Sequence, residues 1–251
     1  MNRQSISIQR CYSLFGTEQN RLEAFCPGQG AVSCSCREQD GVCTLHMTAF
    51  ADSEAAAEQE LKQAEEALQR MYGELIYARR ETTLQQAVVW ELTARQQKIA
   101  TAESLTGGLV SKRITEVPGA SAVLECGICS YSNRIKHELL GVREQTLRTY
   151  TEYSPQTARE MAEGVRRLAG ADIGVSTTGI AGPGGVEGKP PGLVYVAVST
   201  ENDTRVYELQ LSPDGTRGRE QVRSLAASHA LFAVWEVLTG RAGRAAERSL
   251  L

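Results

Sequence analysis

The sequence predicts an α/β protein, a layered sheet with flanking helices, preceded by a small α+β unit. Three observations carry this expectation. From about residue 83 onward, strand-like runs alternate with helical apolar stripes, the pattern of helices layered on a sheet. Before that point, two short strands meet at Asp40-Gly41, a strong two-residue hairpin signal. Between the two regions, Ala78-Arg79-Arg80-Glu81-Thr82 is a polar break. The expected domains are therefore 1–81 and 82–240, with 241–251 as a flexible tail.

Within the first unit, residues 5–13 alternate enough for a strand, and Thr17 opens a short helix to Phe25. Pro27, Gly28 and Gly30 mark a loop. Ala31 to Glu38 and Val42 to Ala49 form the hairpin strands, and Asp52-Ser53-Glu54 starts a helix. Its Ala57, Leu61, Ala64, Leu68 and Met71 share one face. Gly73 closes it, and Leu75-Ile76-Tyr77 adds a last strand.

In the second unit, Thr83 to Arg95 is a helix striped by Leu84, Val88 and Leu92. A short strand ending at Glu103-Ser104 follows, then a turn through Thr106-Gly107-Gly108 into a helix through Val110 and Ile114. Val123 to Tyr131 reads as a second strand, terminated by Ser132-Asn133. Ser154-Pro155 starts a helix to Leu168, stopped by Gly170. Ala171 to Thr177, Gly192 to Thr200 and Thr204 to Leu211 complete a sheet expected to be largely parallel. A long helix then runs to about Leu238, with Leu225, Phe232 and Trp235 on its buried side.

The 251 residues, 41% of them hydrophobic, suffice for one or two buried cores. No apolar run approaches the roughly 20 residues that span a bilayer. The first residues lack the apolar stretch of a secretion signal, so a cytoplasmic protein without membrane contact is expected. Seven cysteines are an odd count without a disulfide-like spacing, which favours reduced thiols used as small apolar fillers. A net charge of −3 offers nucleic acid no electrostatic attraction.

Cys34, Cys36, Cys43 and His46 have the residue types of a zinc site. With Asp40-Gly41 as the turn, Cys36 faces Leu45 and Cys34 faces Met47, while His46 lies opposite Ser35 on the other face. That register favours core cysteines, and no metal is expected.

Three stretches at strand ends carry chemistry. The first, Glu103-Ser104-Leu105-Thr106-Gly107-Gly108, places a hydroxyl where open α/β sheets bind ligands. The helix N–H groups there can receive an anion or a developing oxyanion. Ser104 or Thr106 acting only as a helix cap is the plain alternative. The second is the run from Thr178 to Gly192, which holds six of the 23 glycines and lets backbone amides approach a ligand. It matches neither the P-loop nor the dinucleotide fingerprint. An ordinary long surface loop is its alternative, although loops of this length in compact domains are more often functional. The third is Tyr131-Ser132-Asn133-Arg134-Ile135-Lys136, where a solvated lysine is the plain reading. Cys126-Gly127-Ile128-Cys129 beside it would point its thiols to opposite strand faces, against a redox pair.

Taken in order, Ala102-Glu103-Ser104-x-Thr106-Gly107-Gly108, Val117-Pro118-Gly119-Ala120-Ser121, Tyr131-Ser132-Asn133-x-x-Lys136 and Thr178-Gly179-Ile180-Ala181-Gly182-Pro183-Gly184-Gly185 form a specific set. This set resembles the carboxy-terminal domain of competence/damage-inducible protein A, the nicotinamide-nucleotide amidase family, over about residues 83–240. Residues 1–80 are similar in outline to the KH-like middle domain of longer members. The resemblance implies deamidation of nicotinamide mononucleotide to nicotinate mononucleotide and ammonia, a step of pyridine-nucleotide salvage. It implies Ser104 as nucleophile, Lys136 as base and Tyr131 as an assisting group. Backbone amides near Thr106 and Gly107 would hold the oxyanion. Glu103, Thr106, Gly107, Gly108, Thr178, Gly179, Gly182, Gly184 and Gly185 are expected to line the substrate site. The phosphate would be held either by a nest of amides from Gly182 to Gly185 or by a side-chain fork from Arg219 or Arg223. A small-molecule substrate, no cofactor, no metal, no nucleic acid and a homo-oligomer complete the expectation.

Two departures stand out. Leu105 occupies a position that is usually small, often Cys, and Arg217-Gly218-Arg219 replaces a Gly-Asp-Arg type sequence. The longer members' further amino-terminal domain, implicated in pyrophosphate hydrolysis, has no counterpart here, so that activity is not expected. The rival classes are a non-catalytic RNA-binding protein and a regulator that binds pyridine nucleotides without turnover. Residues 1–81 hold 8 Lys plus Arg against 12 Asp plus Glu, a balance of −4, and lack the G-x-x-G clamp of nucleic-acid-binding KH domains.

Overall fold

The computed structural model describes residues 6–25, 31–186 and 188–241. The expected loop at Pro27 to Gly30, Glu187 of the glycine-rich run and the tail beyond residue 241 lie outside them. The chain divides into two compact units, Met1–Thr83 and Leu84–Leu251.

The first unit is a four-stranded antiparallel sheet in the order β2-β3-β1-β4. Its strands are β1 (Ile6–Phe15), β2 (Val32–Gln39), β3 (Val42–Ala51) and β4 (Ile76–Ala78). Asp40 and Gly41 both take positive φ, as the expected hairpin turn requires. Helices α1 (Gln19–Phe25) and α2 (Glu54–Tyr72) contribute to a core with Tyr12, Leu14, Leu45, Met47, Leu61 and Leu68. Cys34 pairs with Met47, Cys36 with Leu45 and Ser35 with His46, so His46 points away from the cysteine face.

The second unit is a five-stranded sheet in the order β6-β5-β7-β8-β9. Strands β5 (Ile99–Glu103), β6 (Leu124–Cys129) and β7 (Ile173–Gly179) run parallel. By contrast, β8 (Leu193–Ser199) and β9 (Thr204–Gln210) are antiparallel to their neighbours. The sheet is therefore mixed rather than largely parallel. The links after β7 and β8 carry no helix, and a parallel return needs a crossover.

Helices α3 (Leu84–Arg95), α4 (Leu109–Thr115) and α8 (Arg219–Leu238) pack together on one face. On the other face lies α7 (Pro155–Ala169), N-capped by Ser154 and closed by Gly170 at φ 61°. Its approach is close. A Cβ on Gly174 would meet the Ala162 carbonyl at 2.2 Å, and one on Gly164 would meet Leu140 O at 1.9 Å.

Two short helices were not expected, α5 (Asn133–Glu138) and α6 (Glu144–Tyr150). Ser132 does not simply end a strand: its Oγ accepts from Ile135 N–H at 3.3 Å and caps α5. Six or seven residues make at most two turns, too few for an apolar repeat to register in sequence. No described helix is long and apolar enough to cross a membrane.

Candidate active site

Between β5 and α4 the chain turns through Gly107 and Gly108, at φ 63° and 94°. Glycine takes this left-handed region without the Cβ clash that penalises other residues. Gly108 is the N-cap of α4 and has no side chain to cap with. Neither Ser104 nor Thr106 caps the helix; Glu103 does. Its Oε2 accepts from Gly108 N–H (2.9 Å), Val110 N–H (3.0 Å) and the Thr106 hydroxyl (2.7 Å). Its Oε1 accepts from Ser111 N–H (2.8 Å) and the Ser111 hydroxyl (2.7 Å). A carboxyl group 1% exposed with five donors has no capacity left for a ligand. Glu103 is thus a positioning residue, a correction to its expected substrate contact. It also fills the anion site that the start of α4 would otherwise offer.

Capping by Glu103 leaves the Ser104 hydroxyl uncommitted to the helix. Ser104 N–H donates to Thr177 O of β7 at 2.9 Å, fixing the residue at the strand ends. Lys136 reaches it from α5: Nζ lies 3.3 Å from Ser104 Oγ and donates to Ser130 O at 2.9 Å. Lys136 is 1% exposed. Burial, which disfavours the ammonium form, lowers its pKa to about 8, with the negative charge of Glu152 opposing.

Ser104, Lys136 and Leu105 line a cleft of about 230 Å³. Gly179, Gly182 and Gly184 contribute from the glycine-rich loop, and Tyr131 and Arg219 complete the wall. Tyr131 is 66% exposed, and its hydroxyl accepts from Arg219 Nη2 at 3.2 Å. Arg219 Nη1 donates to Gly182 O at 2.9 Å, tying the loop to the start of α8.

Besides Glu103, six expected site residues do not line this cleft. The Thr106 hydroxyl bonds Glu103 and the Thr177 hydroxyl (2.7 Å), and Gly107 N–H donates back to Ser104 O at 3.1 Å. Gly107 N–H is therefore spent and not poised as an oxyanion donor. Gly108 N–H is held by Glu103. Thr178 Oγ1 donates to Glu152 O at 2.6 Å, and a Cβ on Gly185 would meet Lys189 O at 2.2 Å. Arg223 donates to Leu105 O (3.1 Å) and Thr106 O (3.0 Å) and pairs with Glu220 at 3.0 Å. It braces the turn that carries Ser104 from behind.

Sequence reasoning missed Glu152 and Tyr153, which both line the cleft. An acid beside Tyr153, just ahead of the Ser154 cap, was the available signal. Lys189 was also unassigned. Its Nζ donates to Thr151 Oγ1 (3.0 Å) and Tyr153 O (2.5 Å), so it fastens the loop to the segment before α7.

A family model described as CinA C-terminal domain matches residues 81–238. A protein of Caldanaerobacter subterraneus subsp. tengcongensis, named for competence-damage induction, is 46% identical over 203 residues, 80% of this chain and 48% of that protein. A CinA-like protein of Desulfovibrio desulfuricans is 47% identical over 189 residues, 74% and 44% of the two chains. This chain spans about half the length of the curated relatives it matches. The crystal structure of the competence/damage inducible protein CihA from Agrobacterium tumefaciens is 37% identical, with a TM-score of 0.58, covering 62% of this chain and 93% of that one. The strand-end motifs, the sheet that presents them and the extent of the family match agree: the chain belongs to the CinA C-terminal domain family.

Proposed function

We propose that this protein is an amidohydrolase that deamidates nicotinamide mononucleotide to nicotinate mononucleotide and ammonia. The observation that carries the reading is the buried Lys136 amine, 3.3 Å from the Ser104 hydroxyl, with a pKa lowered to about 8. Roughly a tenth of such a group is neutral at pH 7, against under a thousandth for an ordinary lysine. An activated hydroxyl next to a base is what amide attack needs.

In this reading, neutral Lys136 takes the Ser104 proton as Oγ bonds the carboxamide carbon. The resulting ammonium returns that proton to the leaving nitrogen, the C–N bond breaks, and ammonia departs. The Oγ ester left behind is hydrolysed by a water that gives its proton to Lys136; the carboxylate product and free Ser104 remain. Leu105 and Thr106 N–H engage no acceptor among the described residues, and these are the candidate oxyanion donors. Arg219 is the cleft's candidate phosphate ligand.

Ammonia release from nicotinamide mononucleotide tests the reading. Wild-type turnover together with its loss in folded Ser104→Ala supports it. A wild-type protein that binds the nucleotide without releasing ammonia would instead be a non-catalytic binder.

A further inference from the structure

Three charged side chains line the cleft among the described residues: Lys136, Arg219 and Glu152. The amidase reading uses the first two. Glu152 has no assigned role, yet it is held with unusual firmness. Thr151, just before it, sits at φ 66° and ψ 173°, a region that glycine alone enters easily. Four hydrogen bonds hold this conformation. The Ser154 and Thr157 hydroxyls donate to Thr151 O, and Tyr153 N–H and Lys189 Nζ donate to Thr151 Oγ1. The Glu152 carbonyl accepts from Thr178 Oγ1.

The side chain is placed too. Glu152 Oε2 accepts from Asn133 Nδ2 at 3.2 Å. That donor is a neutral amide, and among the described residues no cation lies within ion-pair reach of the carboxylate. The charge of Glu152 therefore acts across the cleft. Tyr153, an aromatic residue, lines the same wall.

From this juxtaposition we propose that Glu152, with Tyr153, forms a cation-selecting wall that binds a substrate whose amide-bearing ring carries positive charge. The proposal rests on the amidase reading and deepens it. A pyridinium ring set against a carboxylate and an aromatic face gains both Coulombic and cation–π attraction. The anionic end of the same molecule then meets Arg219 at the other charged position. The cleft is thus dipolar, matched to a zwitterion with a cationic ring and a phosphate. A neutral aromatic amide of the same shape would gain nothing from Glu152. The carboxylate of the product keeps the ring's charge but adds a negative one, so Glu152 also favours release after hydrolysis.

The test compares two ligands in the full chain: nicotinamide mononucleotide, and the 5′-phosphate of benzamide riboside, whose ring is a neutral isostere. Affinities are measured by calorimetry, apart from turnover, for wild type, Glu152→Gln and Glu152→Ala. Glutamine keeps the size of the side chain and an acceptor for Asn133, so the fold is expected to persist, checked by circular dichroism. The expected result is a tenfold or greater loss of affinity for the cationic ligand in both variants. The neutral ligand should change less than twofold. Equal losses for both ligands would make Glu152 merely structural and overturn the proposal, and so would no loss for either. The two readings fail separately. Glu152-dependent binding of the cationic ligand without ammonia release sinks the amidase reading and leaves the cationic wall standing. Ammonia release with charge-blind binding does the reverse.

Discussion

Lys136 Nζ lies 3.3 Å from Ser104 Oγ and is anchored by the Ser130 carbonyl at 2.9 Å. The anchor is a backbone acceptor, not a carboxylate, so the amine is oriented without an ion pair to hold its proton. Desolvation without a carboxylate partner favours the neutral amine that the proposed mechanism needs; orientation by a carboxylate would favour a fixed cation.

A pH profile follows from this arrangement. Reactivity requires the neutral amine, so kcat/KM should rise with pH and level off above an apparent pKa of about 8. Glu152 raises the Lys136 pKa, so Glu152→Gln should move that limb to lower pH. A limb that stays in place in this variant would mean that another group limits the rate.

The same burial predicts a conflict between stability and function. The folded-state pKa is about 8 against 10.5 for the free side chain, so stability should rise with pH between those values. Below pH 8 the penalty is fully present, up to about 3 kcal/mol. Lys136→Met should therefore stabilise the fold at pH 7 by about 1–2 kcal/mol once the unpaired Ser130 carbonyl is counted, raising the melting temperature while abolishing turnover. Melting curves at pH 7 and pH 10.5 check the sign, since the gain should shrink at the higher pH.

Glu103→Gln puts an amide donor among five donors, so repulsion replaces at least one hydrogen bond. A loss of about 2–4 kcal/mol is expected, because buried donors lose a charged acceptor. Turnover should fall with little change in KM, since the turn carrying Ser104 loosens while the cleft wall remains. Denaturant titration and steady-state kinetics measure the two effects.

Arg219 and Arg223 should separate cleanly. Arg219→Ala is expected to lower the preference for the mononucleotide over nicotinamide riboside about tenfold to hundredfold, the worth of a charge-assisted hydrogen bond. Arg223→Ala should leave that preference intact and reduce turnover on both substrates, because its guanidinium braces Leu105 O and Thr106 O. Kinetics on both substrates decide the assignment.

Ser130 supplies a control. Its hydroxyl is buried and meets no hydrogen-bond partner among the described residues, while its carbonyl holds Lys136. Ser130→Ala should keep activity within about twofold and leave stability unchanged or slightly raised, since an unsatisfied buried hydroxyl is removed. A large loss of turnover would show that the hydroxyl takes part in proton movement.

The sequence by itself determined the two-part architecture, the hairpin at Asp40-Gly41 and the register that separates His46 from the cysteines. It also pointed to the strand ends that line the candidate cleft. These features follow from local rules, because strand alternation, turn-forming glycines and helix caps act over a few residues. Ser104 was legible for the same reason, just past the end of β5, whereas Lys136 comes to the cleft on α5, a helix too short to register in sequence.

What only the tertiary structure decided is how the polar groups are shared out. Glu103 and Arg223 sit within motif-like stretches and looked like ligand contacts, yet both are consumed by the turn they support. Glu152, in no motif, reaches the cleft because residues distant in sequence pin its segment: Thr178 holds its carbonyl and Lys189 that of Tyr153. The antiparallel course of β8 likewise depended on a link that forms the glycine-rich loop instead of a crossover helix, and that of β9 on a link of four residues. A carboxylate or guanidinium can satisfy a buried backbone or meet a ligand with equal chemistry. Which it does depends on donors and acceptors that folding brings from far along the chain.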